Sequence, residues 1–166
     1  MVAVVSVTLK TDMKPLQVLL AQLNSARNVW VDAGFFQSMY KPIEKKSEIK
    51  SKTEPLTPAQ KAIVNEFGVP GKIPSRSFMR NTFKTNRNFV DTLQKNVSAV
   101  VKDNMPVSRA LILLGEKVRK EIIHEINALY EPPNAPSTIA RKGSSKPLID
   151  TAEMRNNVNY RLNTES

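Results

Sequence analysis

Between residues 2 and 9, Ala3, Val5, Val7 and Leu9 fall on one side at period two, and Val and Thr fill most of the other positions. That alternation predicts a β-strand. Thr11 or Asp12 can cap a following helix, with Pro15 tolerated in its first turn. Leu16, Leu19, Leu20 and Leu23 then recur at helical spacing through about Arg27. Residues 28–36 are rich in β-branched and aromatic side chains (Val29, Trp30, Val31, Phe35, Phe36), which predicts a second strand, with Gly34 marking a bulge or an end.

Residues 41–58 break the pattern. Lys41, Lys45, Lys46, Lys50 and Lys52 alternate with Glu44, Glu48 and Glu54, with almost no apolar residue, so the segment reads as an exposed Lys-rich loop. Thr57, Pro58 and Gln60 then form a capping box that opens a short helix with Ala62, Ile63 and Phe67 on one face and Gly68 as a left-handed stop. Residues 69–74 are a Pro/Gly turn. From about Ser75–Ser77, Met79, Phe83, Asn86, Val90, Leu93, Val97 and Val100 are spaced as a heptad seam, which predicts one long helix packed on the core.

Asn104 and Pro106 open another helix carrying Leu111, Leu114, Val118, Ile122, Ile126 and Leu129. It ends before Pro132-Pro133, since a residue preceding proline avoids the helical region. Residues 131–149 form a long Pro/Gly-rich connection. Asp150 can cap a turn of helix, with Glu153 three positions on, and Val158, Tyr160 and Leu162 alternate as a last strand. The order strand, helix, strand, helix, helix, helix, strand predicts a single α+β domain over residues 1–166. Its expected architecture is a small antiparallel or mixed β-sheet with about four α-helices, one or two of them long, on one face.

Composition narrows the chemistry. The 166 residues contain no cysteine and one histidine, His124, which excludes disulfide scaffolds, thiol chemistry and Cys- or His-pair metal sites. The longest aliphatic run, residues 110–114, is far short of the roughly 20 residues a membrane span needs. Residues 1–9 lack the charge and apolar stretch of a signal peptide, so a protein made and kept in a cytoplasm is expected. No carboxylate pair or metal-ligand spacing appears, Gly68–Lys72 lacks the phosphate-loop spacing, and His124 reads as a solvated histidine. Catalysis, a metal and a cofactor are therefore not expected.

The charge is more informative. Lys and Arg number 25 against 15 Asp and Glu, a net charge of +10. Lys72, Arg76, Arg80, Lys84 and Arg87 form one acid-free cluster, and Arg76, Arg80, Lys84 and Arg87 would share roughly one face of a helix. Arg141, Lys142 and Lys146 form a second. Such clusters suit a solvated face, phosphate contact or an acidic protein neighbour. No aromatic platform or helix-turn-helix pattern accompanies them, which argues against sequence-specific reading of nucleic acid.

Three segments together resemble a known family: Asn65-Glu66-Phe67-Gly68 with Ile73-Pro74-Ser75-Arg76-Ser77-Phe78-Met79-Arg80; Pro132-Pro133-Asn134 with Thr138-Ile139-Ala140-Arg141-Lys142-Gly143; and Lys146-Pro147-Leu148-Ile149-Asp150-Thr151. In order and content, over about residues 57–162, they are similar to the tail-completion, or virion-morphogenesis, proteins of tailed bacteriophages. Ser77 stands where that family usually has proline, and Ala152 where it usually has glycine. The resemblance implies an α+β structural subunit in the neck of a virion, without catalysis or cofactor, assembled in the host cytoplasm. It would form or join a ring, sixfold by the symmetry of tails, beside tail-tube or terminator and head-connector proteins, with weak sequence-blind contact to DNA in the lumen and none to a membrane.

On this reading Arg76, Arg80, Lys84, Arg87, Pro136, Arg141, Lys142, Lys146 and Asp150 are the expected subunit or partner contacts. Asp150 or Glu66 would be the acidic partner of Arg76 and Arg80, the 131–149 loop would reach a neighbour, and Phe67 and Phe78 would anchor the 69–74 turn to the core. The alternative is a basic nucleic-acid-binding module without sequence specificity. An enzyme would need a convergent site that the sequence lacks.

Overall fold

The computed structural model describes residues 14–36, 56–85 and 88–165. The expected strand at 2–9, its Thr11/Asp12 cap, nearly all of the 41–58 loop, and Arg87 lie outside them. Within the described residues the chain is α+β. In order it forms α1 (Lys14–Ser25), a 3-10 turn (Ala26–Asn28), β1 (Val29–Phe35), α2 (Pro58–Phe67), α3 (Phe78–Thr85), α4 (Asn88–Lys102), α5 (Val107–Ala128), α6 (Pro136–Lys142), α7 (Glu153–Asn156) and β2 (Val158–Thr164).

β1 and β2 pair antiparallel, with Val31 opposite Leu162, Ala33 opposite Tyr160 and Phe35 opposite Val158. The 22-residue α5 lies across both strands. It comes close because residue 115 is glycine: a Cβ there would meet Val31 Cγ2 at 2.6 Å and Tyr160 Cδ2 at 2.9 Å. Arg119 on the same helix donates to the Val158 carbonyl at 2.9 Å, fixing α5 to the start of β2. The core forms where α5, α3 and the sheet meet. Phe78, Ile122, Ile126 and Val158 are fully buried, joined by Ala62, Leu129, Leu148 and Met154. Phe35 meets Phe78 edge-to-face at 6.1 Å, a favoured aromatic geometry.

Five sequence expectations are corrected. The long heptad helix is two helices, α3 and α4. Its seam does not face the core throughout, because Phe83, Val90, Leu93 and Val97 are exposed. α4 instead meets α5 through Val100 and through Asn96, whose amide donates to the Ala110 carbonyl at 2.9 Å. The buried face of α2 is Pro58, Ala62 and Glu66, while Ile63 and Phe67 are exposed. Phe78 anchors as expected, but Phe67 lies outside under the Arg80 guanidinium, 5.4 Å from its ring centre. The 131–149 connection is not all loop: Pro136 opens α6, and Gly143, at φ 67°, closes it. Asp150 does not cap α7, since Ala152 holds the cap position in the left-handed conformation, at φ 58° and ψ 6°.

The Thr57 capping box forms as expected, Thr57 Oγ1 accepting from the Gln60 amide and Gln60 Oε1 from the Thr57 amide. Gly68 stops α2 at φ 75°, although its ψ of 178° is extended rather than helical. A side chain there would strike the Ile73 carbonyl and the Ser75 amide at 2.7 Å. The closed turn that follows, in which Val69 and Ile73 pair, requires this glycine.

Candidate functional site: a clamp across three segments and the basic cleft beside it

The first turn of any helix leaves amide donors without partners. In α3 the donors of Met79 and Arg80 are taken by a side chain from another helix. Glu66 Oε2 accepts from the Met79 amide at 2.9 Å, and Oε1 from the Arg80 amide at 3.2 Å. The same Oε1 accepts from Arg80 Nε at 2.8 Å, so the carboxylate is paired as well as capping. Arg80 also bonds the Glu66 carbonyl at 3.0 Å and Ser77 Oγ at 2.7 Å, and Ser75 Oγ donates to that Glu66 carbonyl at 2.8 Å. Glu66 is 5% exposed. A negative charge at a helix N-terminus is favourable in any case, which offsets part of the cost of burying it.

Arg76 joins this unit to the chain after α5. Its backbone amide donates to the Asn65 carbonyl at 2.7 Å. Its guanidinium, in a residue only 5% exposed, donates through Nε to the Pro132 carbonyl at 2.9 Å and through Nη2 to the Pro133 carbonyl at 3.1 Å and Asn134 Oδ1 at 3.2 Å. Nη1 reaches Asn65 Oδ1 at 3.4 Å. The planar fork suits this, since its donors diverge at fixed angles toward separate oxygens. Burial pulls the Arg76 pKa below its ordinary value. Asn134 extends the chain of bonds to the Lys146 carbonyl at 3.4 Å, and Lys142 Nζ donates to the carbonyls of Lys146 and Pro147, both at 3.2 Å.

The expected contact residues therefore divide. Arg80 meets Glu66, one of its two expected acidic partners. Arg76 meets neither acid. Buried behind the turn, it finds backbone carbonyls and amide oxygens instead, and it is not a surface contact. Lys84 is exposed on α3, and because Arg76 precedes that helix the four basic residues do not form one helical stripe. Pro136 is the exposed first residue of α6, and Lys146 lies 6.0 Å from the Tyr130 ring centre. Arg141, Lys142 and Asp150 line a cavity of about 350 Å³ between α2, the 69–74 turn, α6 and the start of α7.

Lys61, Lys72, Arg76 and Glu153 share the walls of this cavity, above a partly apolar lining of Ile73, Pro74 and Leu148. Lys61 and Glu153 form an ion pair across it, tying α2 to α7. Burial lowers the Lys142 pKa, Asp150 raises it, and the positive charges of Arg76 and Arg141 lower it further.

Sequence reasoning missed Asn65, Asn134 and Gly115. The two asparagines lie inside the resembling segments with no spacing that reveals a role, and helix α5 reads as well with glycine as without it. His124 is exposed on α5, and among the described residues no group of three or more His, Asp or Glu is placed to hold a metal ion. No helix among them is long and apolar enough to cross a membrane. Compared with protein-family profiles, curated proteins and solved structures, the chain matches none.

Proposed function

We propose that this chain is a structural subunit of a tailed-bacteriophage virion, a tail-completion or neck component that forms or joins a ring at the head–tail interface. The observation that carries the reading is the convergence of the three resembling segments on one clamp. Within the first segment Asn65 and Glu66 hold Arg76 and Arg80, Arg76 holds Pro132, Pro133 and Asn134 of the second, and Asn134 and Lys142 of the second bond the Lys146 carbonyl of the third. A motif whose polar residues bond one another is a scaffold motif, and what it stabilises is the presentation of the 131–149 segment.

Surface character supports the same reading. Val90, Leu93, Val97 and Val101 form an exposed apolar stripe on α4, and Leu16, Leu20 and Leu23 another on α1. Exposed apolar stripes suit a chain that buries surface on assembly. A ring would follow from repeated heterologous contacts between copies, sixfold by the symmetry of tails, with tail-tube or terminator and head-connector proteins as neighbours and DNA passing through the lumen. The nucleic-acid-binding alternative is weakened because Arg76 and Arg80, two of its strongest cations, are engaged within the fold.

Negative-stain microscopy of particles made without this gene tests the reading. Separate filled heads and tails with open or abnormal ends are expected. Joined, infectious particles would remove the protein from the neck.

A further inference from the structure

We propose that the cavity between α2, the 69–74 turn, α6 and the start of α7 binds an acidic, partly apolar stretch of a partner polypeptide. A carboxylate of the partner would meet Arg141 and Lys142, and an apolar neighbour would rest on Ile73 and Pro74. In taking that partner to be an assembly neighbour, the inference rests on the virion reading.

Charge is the first argument. Five cationic side chains, Lys61, Lys72, Arg76, Arg141 and Lys142, line the cavity against two carboxylates, Asp150 and Glu153. Glu153 is paired with Lys61. Arg76 and Lys142 donate to carbonyl and amide oxygens, which satisfy hydrogen bonds without cancelling charge. Three positive charges remain in excess, in a recess where water screens them less than at an open surface. The Lys142 pKa is lowered chiefly by burial, with Asp150 acting against it and Arg76 and Arg141 adding smaller repulsions. Each incoming carboxylate reduces the excess of positive charge by one.

Shape is the second argument. About 350 Å³ is at the small end of ligand cavities and holds a few side chains rather than a duplex. Its walls are pre-formed: the clamp fixes residues 132–134, and Pro74, Pro133 and Pro147 restrict the backbone around it. Little ordering is needed on binding. Nucleic acid fits less well. A strand brings phosphates at close, regular spacing, about 3.4 Å along the helix axis, past Asp150 and Glu153, and no aromatic ring lines the cavity on which its bases could stack. A peptide can place its acid over Arg141 and Lys142 and its apolar side chain over the lining.

The test uses the purified full chain and a short labelled peptide alternating Asp and Leu. An Asn-for-Asp peptide and oligothymidine are the comparison probes. Saturable binding is expected, with amide shifts confined to residues 61–65, 72–76 and 133–154. Lys72→Glu with Arg141→Glu should weaken it by about tenfold or more, since reversing two cavity charges costs at least the factor of ten that separates adjacent decades of affinity. Unchanged thermal melting of the variant shows that it folds, and Lys95→Glu, an exposed cation on α4 away from the cavity, should leave binding intact. Shifts elsewhere, equal binding by the variant, absence of binding, or displacement of the peptide by oligothymidine would each overturn the proposal. The two readings fail separately: absence of binding with heads and tails left unjoined in the gene's absence sinks the cleft alone, and binding with normal particles sinks the virion reading.

Discussion

Arg76 and Asn134, 58 positions apart, are both buried and joined by a 3.2 Å bond from Nη2 to Oδ1. That bond and its neighbours hold the segment after α5 against the turn before α3. The same fork bonds the carbonyls of Pro132 and Pro133, so one side chain satisfies three oxygens that folding takes partly or wholly out of water.

Arg76→Lys tests the fork. Lysine keeps the charge but cannot direct fixed, diverging donors at these oxygens. With charge-assisted bonds contributing about 1.5–3 kcal/mol each, a loss of roughly 2–3 kcal/mol is expected in chemical denaturation. Faster proteolysis between residues 131 and 149 should accompany it.

Glu66→Gln tests the cap. The amide retains one acceptor oxygen where the carboxylate offers two, and it loses the charge that pairs Arg80. One donor of α3 or Arg80 is left unmatched, which should cost about 2 kcal/mol. Arg80 is itself largely exposed, so Arg80→Ala should cost less than Glu66→Gln. The reverse order would show that the ion pair outweighs the cap.

Gly115→Ala sets two effects against each other. Alanine improves helix propensity by about 1 kcal/mol. Its Cβ would lie 2.6 Å from Val31 Cγ2 and 2.9 Å from Tyr160 Cδ2, and overpacking of this kind costs about 1–3 kcal/mol. Because the clash is with side chains of the sheet rather than a flexible tip, net destabilisation is expected, visible as a lower melting temperature.

Ala152→Gly should do the opposite. Ala152 sits at φ 58°, a left-handed conformation that costs a non-glycine residue about 1–2 kcal/mol. Glycine removes that cost and adds about 0.5–1 kcal/mol of unfolded-chain entropy, leaving a net gain of up to about 1.5 kcal/mol. A melting temperature that falls instead would mean the Ala152 methyl contributes packing that outweighs its strain.

Much of the fold is legible because it rests on local signals. The Thr57 box, the strand at Val29–Phe35 and the run of apolar positions along α5 each follow from a few adjacent residues. What was not legible depends on distant partners. On α2 the sequence puts Phe67 on the core face and offers Glu66 as a partner for Arg80, but only the fold shows that Glu66 is buried in place of Phe67, because the open amides of α3 and Arg80 draw the carboxylate inward. The heptad seam from Met79 to Val100 has the right spacing, but spacing cannot say which residues find a partner, and Val90, Leu93 and Val97 do not become buried. Helix α6 was within reach, since Pro136 and Gly143 bracket it as start and stop signals, yet the density of prolines around it reads as loop. Of the candidate site, the basic residues were legible and their division was not. Only the fold shows that Arg76 is enclosed and that Arg141 and Lys142 line a cavity.

The proposed place of this chain in a virion is tested most directly by immunogold labelling of purified, nuclease-treated particles with antibody to it. The account predicts label at the head–tail junction in a fixed number of copies per particle. Particles that join and infect normally yet carry none of the chain, in blots as well as in micrographs, would contradict it.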